Sequence, residues 1–426
     1  MQIPVADVAL FESNQVVANF AVFGAMTLVT VGSVIVTLAC ITNPKACFGS
    51  CPTFYIHDGE KDYLAAEGFS ESVAPSLEAT DVDALWRAKI KGPKAVLRVT
   101  NEALETHAIR QANLLIAHKP KNGRVLATND GRYLEAFAFQ SPTTCVGPEG
   151  DCLPAVSAFD SNERISVTDG KDLATKETVE LTFTAVPESG QQGIALEVRQ
   201  GFITTYLFYQ ALAYMGRNAG TYLAAMEQGS SDVRDKAKAL YHLLGGVEVQ
   251  TQDAHGTWKT VGTYLETGPI AREVQVIPLP MGESSRNIRL IMARGHFRLG
   301  QVSLVALGKT VSPKRITPSA IATTHGDENL AKQWIAGGTP FITTYPGDEH
   351  TLTYDLPTDG DDLEFFLEAR GYYLEWMRGS WLAEESKWKL GKLFTRPGSA
   401  LQDLAPAYKK VEANIEQLFW ESRYVR

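Results

Sequence analysis

The chain has 426 residues, with 40 Lys and Arg set against 49 Asp and Glu, a formal net charge of −9 and 21% charged residues. Such a length is enough for two or more folded units. The charge balance excludes a basic nucleic-acid-binding protein, since Lys89, Lys91 and Lys94 form only a short cluster.

Residues 13–44 carry no charged side chain, and 16–41 is almost entirely apolar. That run exceeds the roughly 20 residues a helix needs to cross a bilayer. It predicts one N-terminal transmembrane helix and a membrane lipid bilayer as first partner. Lipidation is the alternative, because Thr37-Leu38-Ala39-Cys40 partly matches a lipobox, with Thr37 where Leu is usual. Ordinary cleavage is disfavoured: no Lys or Arg occurs in the first 44 residues, and Asp7 and Glu12 precede the run. Ala21, Ala25, Ser33 and Thr37 fall on one four-residue ladder broken by Val29. Small residues at that spacing admit a second helix closely, which points to another membrane subunit; the plain alternative is the general abundance of small residues in membrane helices.

Orientation rests on two opposed signals. Lys45 and Lys61 follow the run, which favours the bulk inside. Cys47, Cys51, Cys145 and Cys152 form two close pairs suited to disulfides in an oxidising compartment, with three possible connectivities. The cysteines are the stronger signal, so the bulk is expected on the periplasmic or outer face. Zinc is the competing use of four cysteines, but six residues between Cys145 and Cys152 are too many for a structural half-site. No C-x-x-C redox motif occurs.

Beyond the tether, 45–200 reads as a β-rich domain. Asp58-Gly59, Asn122-Gly123, Asp130-Gly131 and Asp169-Gly170 mark tight turns. Val179, Leu181 and Phe183 alternate with polar residues, and Ile194, Leu196 and Val198 do the same, as in half-wet antiparallel strands. Residues 201–245 form a helical insertion, with aromatics from Phe202 to Tyr222 best explained as core. Residues 246–310 return to strands: Val247-Glu-Val-Gln, Thr257-Trp258, Asn287-Ile-Arg-Leu and Val302–Leu307 resemble a galactose-binding-like jelly roll. That family binds sugars in some members and only scaffolds in others. Residues 311–426 mix strands with C-terminal helices. There Ser399 and Gln402 fit a capping box, and Leu401, Leu404, Tyr408, Val411, Ile415, Leu418 and Phe419 form an apolar seam with Pro406 inside it. The fold class expected is α+β, mainly antiparallel β-sandwich or jelly-roll units with helical insertions.

No zincin, P-loop, nucleophile-elbow, dinucleotide or haem motif is present, and the eight histidines are scattered. No catalytic residue, metal or cofactor is therefore assigned. Asp359, Asp361, Asp362 and Glu364 lack the order of a calcium loop. Glu364 and Glu368, two pleats apart, permit a glycosidase-type carboxylate pair without indicating one. The densest unusual stretch is Leu363–Trp381, where Tyr372, Tyr373 and Trp376 stand as candidate anchors for a partner or glycan and Arg370 as a polar clamp.

Lys45-Ala-Cys-Phe-Gly-Ser-Cys-Pro-Thr-Phe-Tyr55, Glu67-Gly-Phe, Ser76-Leu-Glu-Ala-Thr-Asp-Val-Asp83, Thr100-Asn-Glu-Ala-Leu-Glu-Thr-His107 and Gly371-Tyr-Tyr-Leu-Glu-Trp-Met377 together resemble a family of uncharacterised bacterial envelope proteins. The resemblance implies an N-terminal membrane or lipoprotein segment and transfers no catalytic residue. The function expected is a non-catalytic membrane-anchored accessory or scaffold subunit docking on another envelope protein. A carbohydrate-binding or carbohydrate-active protein and a thiol-redox protein are the alternatives.

Overall fold

A computed structural model describes residues 51–422 apart from 58–60, 185–189, 228–242, 254, 266–267, 269, 282–283, 324–327, 336–339 and 358–359. Ala21, Ala25, Ser33, Thr37, Cys40 and Cys47 lie outside the described residues. Among those described, no helix is long and apolar enough to cross a membrane.

Among the described residues four sheets carry the architecture, and every pairing between strands is antiparallel but one, which makes the fold α+β and β-sandwich-like. The first sheet orders β19 (Ala320–Thr323), β21 (Glu349–Asp355), β4 (Lys94–Thr100), β1 (Thr53–His57) and β2 (Asp62–Glu67). The second orders β18 (Lys314–Ile316), β5 (Glu105–His118), β22 (Leu363–Glu375) and β3 (Ala79–Ala84), with β20 (Ile342–Thr344) also on β5. These two sheets enclose a core of Phe54, Ile56, Leu97, Val99, Leu114, Leu352 and Tyr354.

The third sheet orders β10 (Arg164–Ile165), β17 (Phe297–Val311), β12 (Gln192–Gln200), β15 (Glu273–Pro278), β6 (Gly123–Ala127) and β7 (Tyr133–Gln140). Its β17 also pairs with β7, so the sheet closes on itself as a small barrel. Leu126, Leu134, Ala136, Ala195, Val274, Val276 and Val305 form the enclosed cluster, with Trp86 of the first unit packed against it. The fourth sheet orders β14 (Trp258–Tyr264), β13 (Val247–Gln252), β16 (Ser284–Ala293), β11 (Lys176–Thr182), β8 (Thr144–Gly147) and β9 (Gly150–Asp151). It covers the outer face of β12 and β17 through Val179, Leu181, Val249, Leu290 and Leu299.

The strands cross the expected domain limits. β21 and β22, from 311–426, pair with β4, β3 and β5, so residues near both ends of the described chain build one sandwich. Nor is 246–310 a self-contained jelly roll. β13, β14 and β16 join the fourth sheet, whereas β15 and β17 join the barrel.

Among the described residues the helices are α1 (Leu153–Val156), α2 (Ile203–Met215), α3 (Ala219–Glu227), α4 (Glu328–Ile335), α5 (Gly379–Leu382), α6 (Lys387–Thr395), α7 (Pro397–Val411) and α8 (Ile415–Ser422). The C-terminal seam packs on the body, since Leu401, Leu404, Tyr408, Val411, Ile415 and Phe419 share one core with α2. The capping box is not used. α7 begins at Pro397, whose missing N–H and fixed φ suit a first helical position, so Ser399 lies within the helix.

Candidate functional site

β22 is covered on both faces. Leu363, Phe365, Leu367 and Ala369 point into the first sandwich, while Phe366 packs on the barrel side against Tyr133. A bulge between Arg370 and Gly371 then shifts the register with β5. A Cβ at Gly371 would meet the Ala108 carbonyl at 2.3 Å, so glycine is what lets the two backbones approach there.

Past the bulge, Glu375 of β22 stands opposite Glu105 of β5, and Tyr373 opposite His107. Asn101 fixes the turn into β5 by donating to the carbonyls of Glu105 and Thr344 at 2.8 and 3.1 Å. Like charges directly opposite on neighbouring strands repel, and in a buried site both cannot stay ionised. Burial first, and then the Glu375 carboxylate, pushes the Glu105 carboxyl well above the usual range. Burial and the facing Glu375 carboxylate thus favour the neutral form of Glu105.

The carboxylate is held from two sides. Arg378 Nη1 donates to Glu375 Oε2 at 2.5 Å, and the Tyr209 hydroxyl of α2 donates to Oε1 at 3.0 Å. The guanidinium lies 4.5 Å from the Trp381 ring centroid. Burial above all, then the Glu375 charge, raises the Tyr209 phenol well above its ordinary value, which keeps it a donor. His107 Nε2 lies 2.7 Å from Glu105 Oε1. Glu67, at the end of β2, accepts from the backbone N–H groups of Ile270 and Ala271 at 2.6 and 2.7 Å, and burial raises its carboxyl to about 7.

Two carboxyls, an imidazole, a guanidinium and a phenol are the parts of an acid–base site. Access decides otherwise. The side chains of Glu105 and His107 are 0% exposed and those of Glu375 and Arg378 3%. A reactant reaches none of them unless α2 and α5 lift away. In this closed form the cluster is an internal polar joint between β5, β22 and the helices.

The residues expected to form an exposed strip do not converge. Tyr372 is buried edge-on to Phe341, and Tyr373 is buried with its hydroxyl donating to the Ser70 carbonyl at 3.0 Å. Trp376 is half-buried and donates to Thr106 Oγ1 at 2.9 Å. Arg370 remains at the surface, sharing Glu78 with Arg110. These aromatics are core because β22 is central rather than an edge. Glu364 and Glu368 are likewise committed, the first to Arg124 and the second to Arg315 and Asn113.

Cys145 and Cys152 form a disulfide. Cys51 is a free, buried thiol rather than half of a bridge, its Sγ 4.0 Å from the Ser70 carbonyl. Burial first, then Glu67 and Glu105, pushes that thiol well above its ordinary value, which is the reverse of a reactive thiolate. Among the described residues, no group of three or more His, Cys, Asp or Glu is placed to hold a metal.

No protein-family model and no curated protein matches the chain. Among solved structures, BuGH86wt in complex with neoagarooctaose matches over 54% of this chain and 34% of its own, at 8% identity and a TM-score of 0.18. A variant of that protein with the same ligand matches over the same shares, at 7% identity and a TM-score of 0.18. The chain thus spans about a third of the length of these structures, and a likeness this slight carries no argument.

Proposed function

We propose that the chain is a non-catalytic, membrane-anchored accessory or scaffold subunit of a bacterial envelope, docking on another envelope protein with its bulk on the periplasmic or outer face. The observation that supports this reading is the closure of the Glu105–Glu375–Arg378 cluster, which turns the richest set of titratable groups into internal joinery. The uncharged run over 13–44 supplies the anchor. Binding glycans through the aromatic strip would require Tyr372 and Tyr373 to leave the core, and a redox role for Cys51 would require a buried thiol to ionise.

The test is extraction of the native protein in mild detergent, followed by size separation and mass spectrometry. A stoichiometric membrane or envelope subunit travelling with the chain is the expected result. Recovery as a lone monomer would overturn the accessory reading.

A further inference from the structure

α6 presents an unusual surface. From Ser386 to Gln402 the sequence contains Lys387, Lys389, Lys392 and Arg396 and no Asp or Glu, within a chain of net charge −9. Leu390 and Leu393 bury one side of α6 in the helical core. On the solvent side Trp388 is 71% exposed, and Leu382 of the neighbouring α5 is 36% exposed.

The acids nearby are largely engaged. Glu385 accepts from the Arg217 backbone N–H at 3.0 Å and from Asn218 Nδ2 at 2.9 Å, Glu384 is buried, and Asp403 pairs with Lys392. Lys392 also approaches the Trp388 ring at 5.6 Å, and Lys389 the Tyr214 ring at 5.2 Å. An exposed indole among lysines on a helix whose other side is buried is the pattern of a headgroup-level contact.

The sequence before Cys51 says what this surface would meet. The uncharged run ends at Pro44, and the chain from there to Cys51 spans at most about 25 Å when fully extended. Cys51 Sγ lies 4.0 Å from the Ser70 carbonyl, which accepts from the Tyr373 hydroxyl at 3.0 Å; β22 ends two residues on, at Glu375, and α5 and α6 follow it in the chain. Cys51, the first described residue after the uncharged run, therefore lies beside the end of β22 that leads into α5 and α6.

We propose that the Trp388 face of α6 rests on an anionic lipid surface, with the indole and Leu382 among the headgroups and Lys387 and Lys389 against their phosphates. This rests on the membrane-anchored reading above. The contact is electrostatic in part, so it weakens as salt is raised past the point where the screening length falls below roughly 10 Å.

The test uses the full chain in lipid nanodiscs of phosphatidylcholine, with and without phosphatidylglycerol, carrying bromine on the acyl chains near the headgroup. Expected is a loss of tryptophan emission in the anionic discs that is absent from Trp388→Phe, absent from the double variant Lys387→Glu, Lys389→Glu, and reversed by high salt. Quenching that Trp388→Phe leaves unchanged, with the chain still incorporated, overturns this contact and leaves the anchor standing. A chain that fails to enter the discs overturns the anchor and this contact together.

Discussion

Glu67 is enclosed, yet it titrates near neutrality because burial outweighs the two backbone N–H groups it accepts from. Its folded value, about 7, lies above the ordinary 4.5. The folded state therefore binds the extra proton between those values, and stability present below about pH 4.5 is lost as pH rises through about 7. A shift of that size amounts to about 3 kcal/mol. Urea unfolding of Glu67→Gln should show a fall in stability from pH 5 to pH 8 that is smaller than in the parent by up to ~3 kcal/mol; an unchanged slope would refute the assignment.

The neighbouring cluster makes a second contrast. Arg378→Ala leaves the Glu375 carboxylate buried without its cation and is expected to lose about 3–5 kcal/mol. Glu105→Gln exchanges one neutral group for another and should lose only about 1 kcal/mol. Equal losses in chemical denaturation would mean that Glu105 is ionised after all. The stretch 363–381 held Glu375 and Arg378 in plain view, but residue type drew attention to Tyr372, Tyr373 and Trp376 instead. Whether an aromatic is wet depends on what covers its strand, and β22 is covered by strands and helices far away in sequence. Glu105, His107 and Glu67 gave no signal of their own, because only the register of β5 and β22 and the packing of β2 bring them to one place.

At the scale of single elements the sequence was most legible where one face is wet. Val179 and Leu181 are buried and Glu180 exposed, as the alternation in β11 requires. Gly131 has φ +79° in the β6–β7 connection, which explains the Asp-Gly there. The same reasoning failed in β12. Ala195 and Glu197 are as buried as Ile194 and Leu196, because β12 has the barrel interior on one side and the fourth sheet on the other. Polar residues at alternate positions marked an ion pair with Arg87, not water.

The disulfide belongs at this scale too. Cys145 in β8 and Cys152 just after β9 are seven residues apart and pin the hairpin at the edge of the fourth sheet. So short a loop restrains the unfolded chain modestly, by about 2.5 kcal/mol. Cys145→Ser with Cys152→Ser, or the parent under reductant, should lose about that much in calorimetry. No change under reductant would show that the bridge does not form.

For the whole molecule, the telling feature is that its two β units are latched in both directions. Glu67 of the first unit accepts from Ile270 and Ala271 of the second, while Glu273 of the second accepts from Ala84 of the first at 2.8 and 2.9 Å. Between them Arg124 binds Glu364, donates to the Trp86 carbonyl at 3.0 Å and lies 3.7 Å from the Trp86 ring centroid, while that indole packs against the barrel core. No local pattern announces such a joint, since its partners are separated by up to 240 residues.

An interface sealed by charge on both sides should make the units melt together in the parent. Arg124→Ala removes the cation from a Glu364 side chain that is 5% exposed and loosens Trp86 at the same stroke. The expected loss is about 3 kcal/mol, concentrated at the seam. Scanning calorimetry should then resolve two transitions where the parent shows one. A single transition, merely displaced to lower temperature, would mean that the apolar contacts of Phe366, Leu115 and Val125 hold the units together without the ion pair.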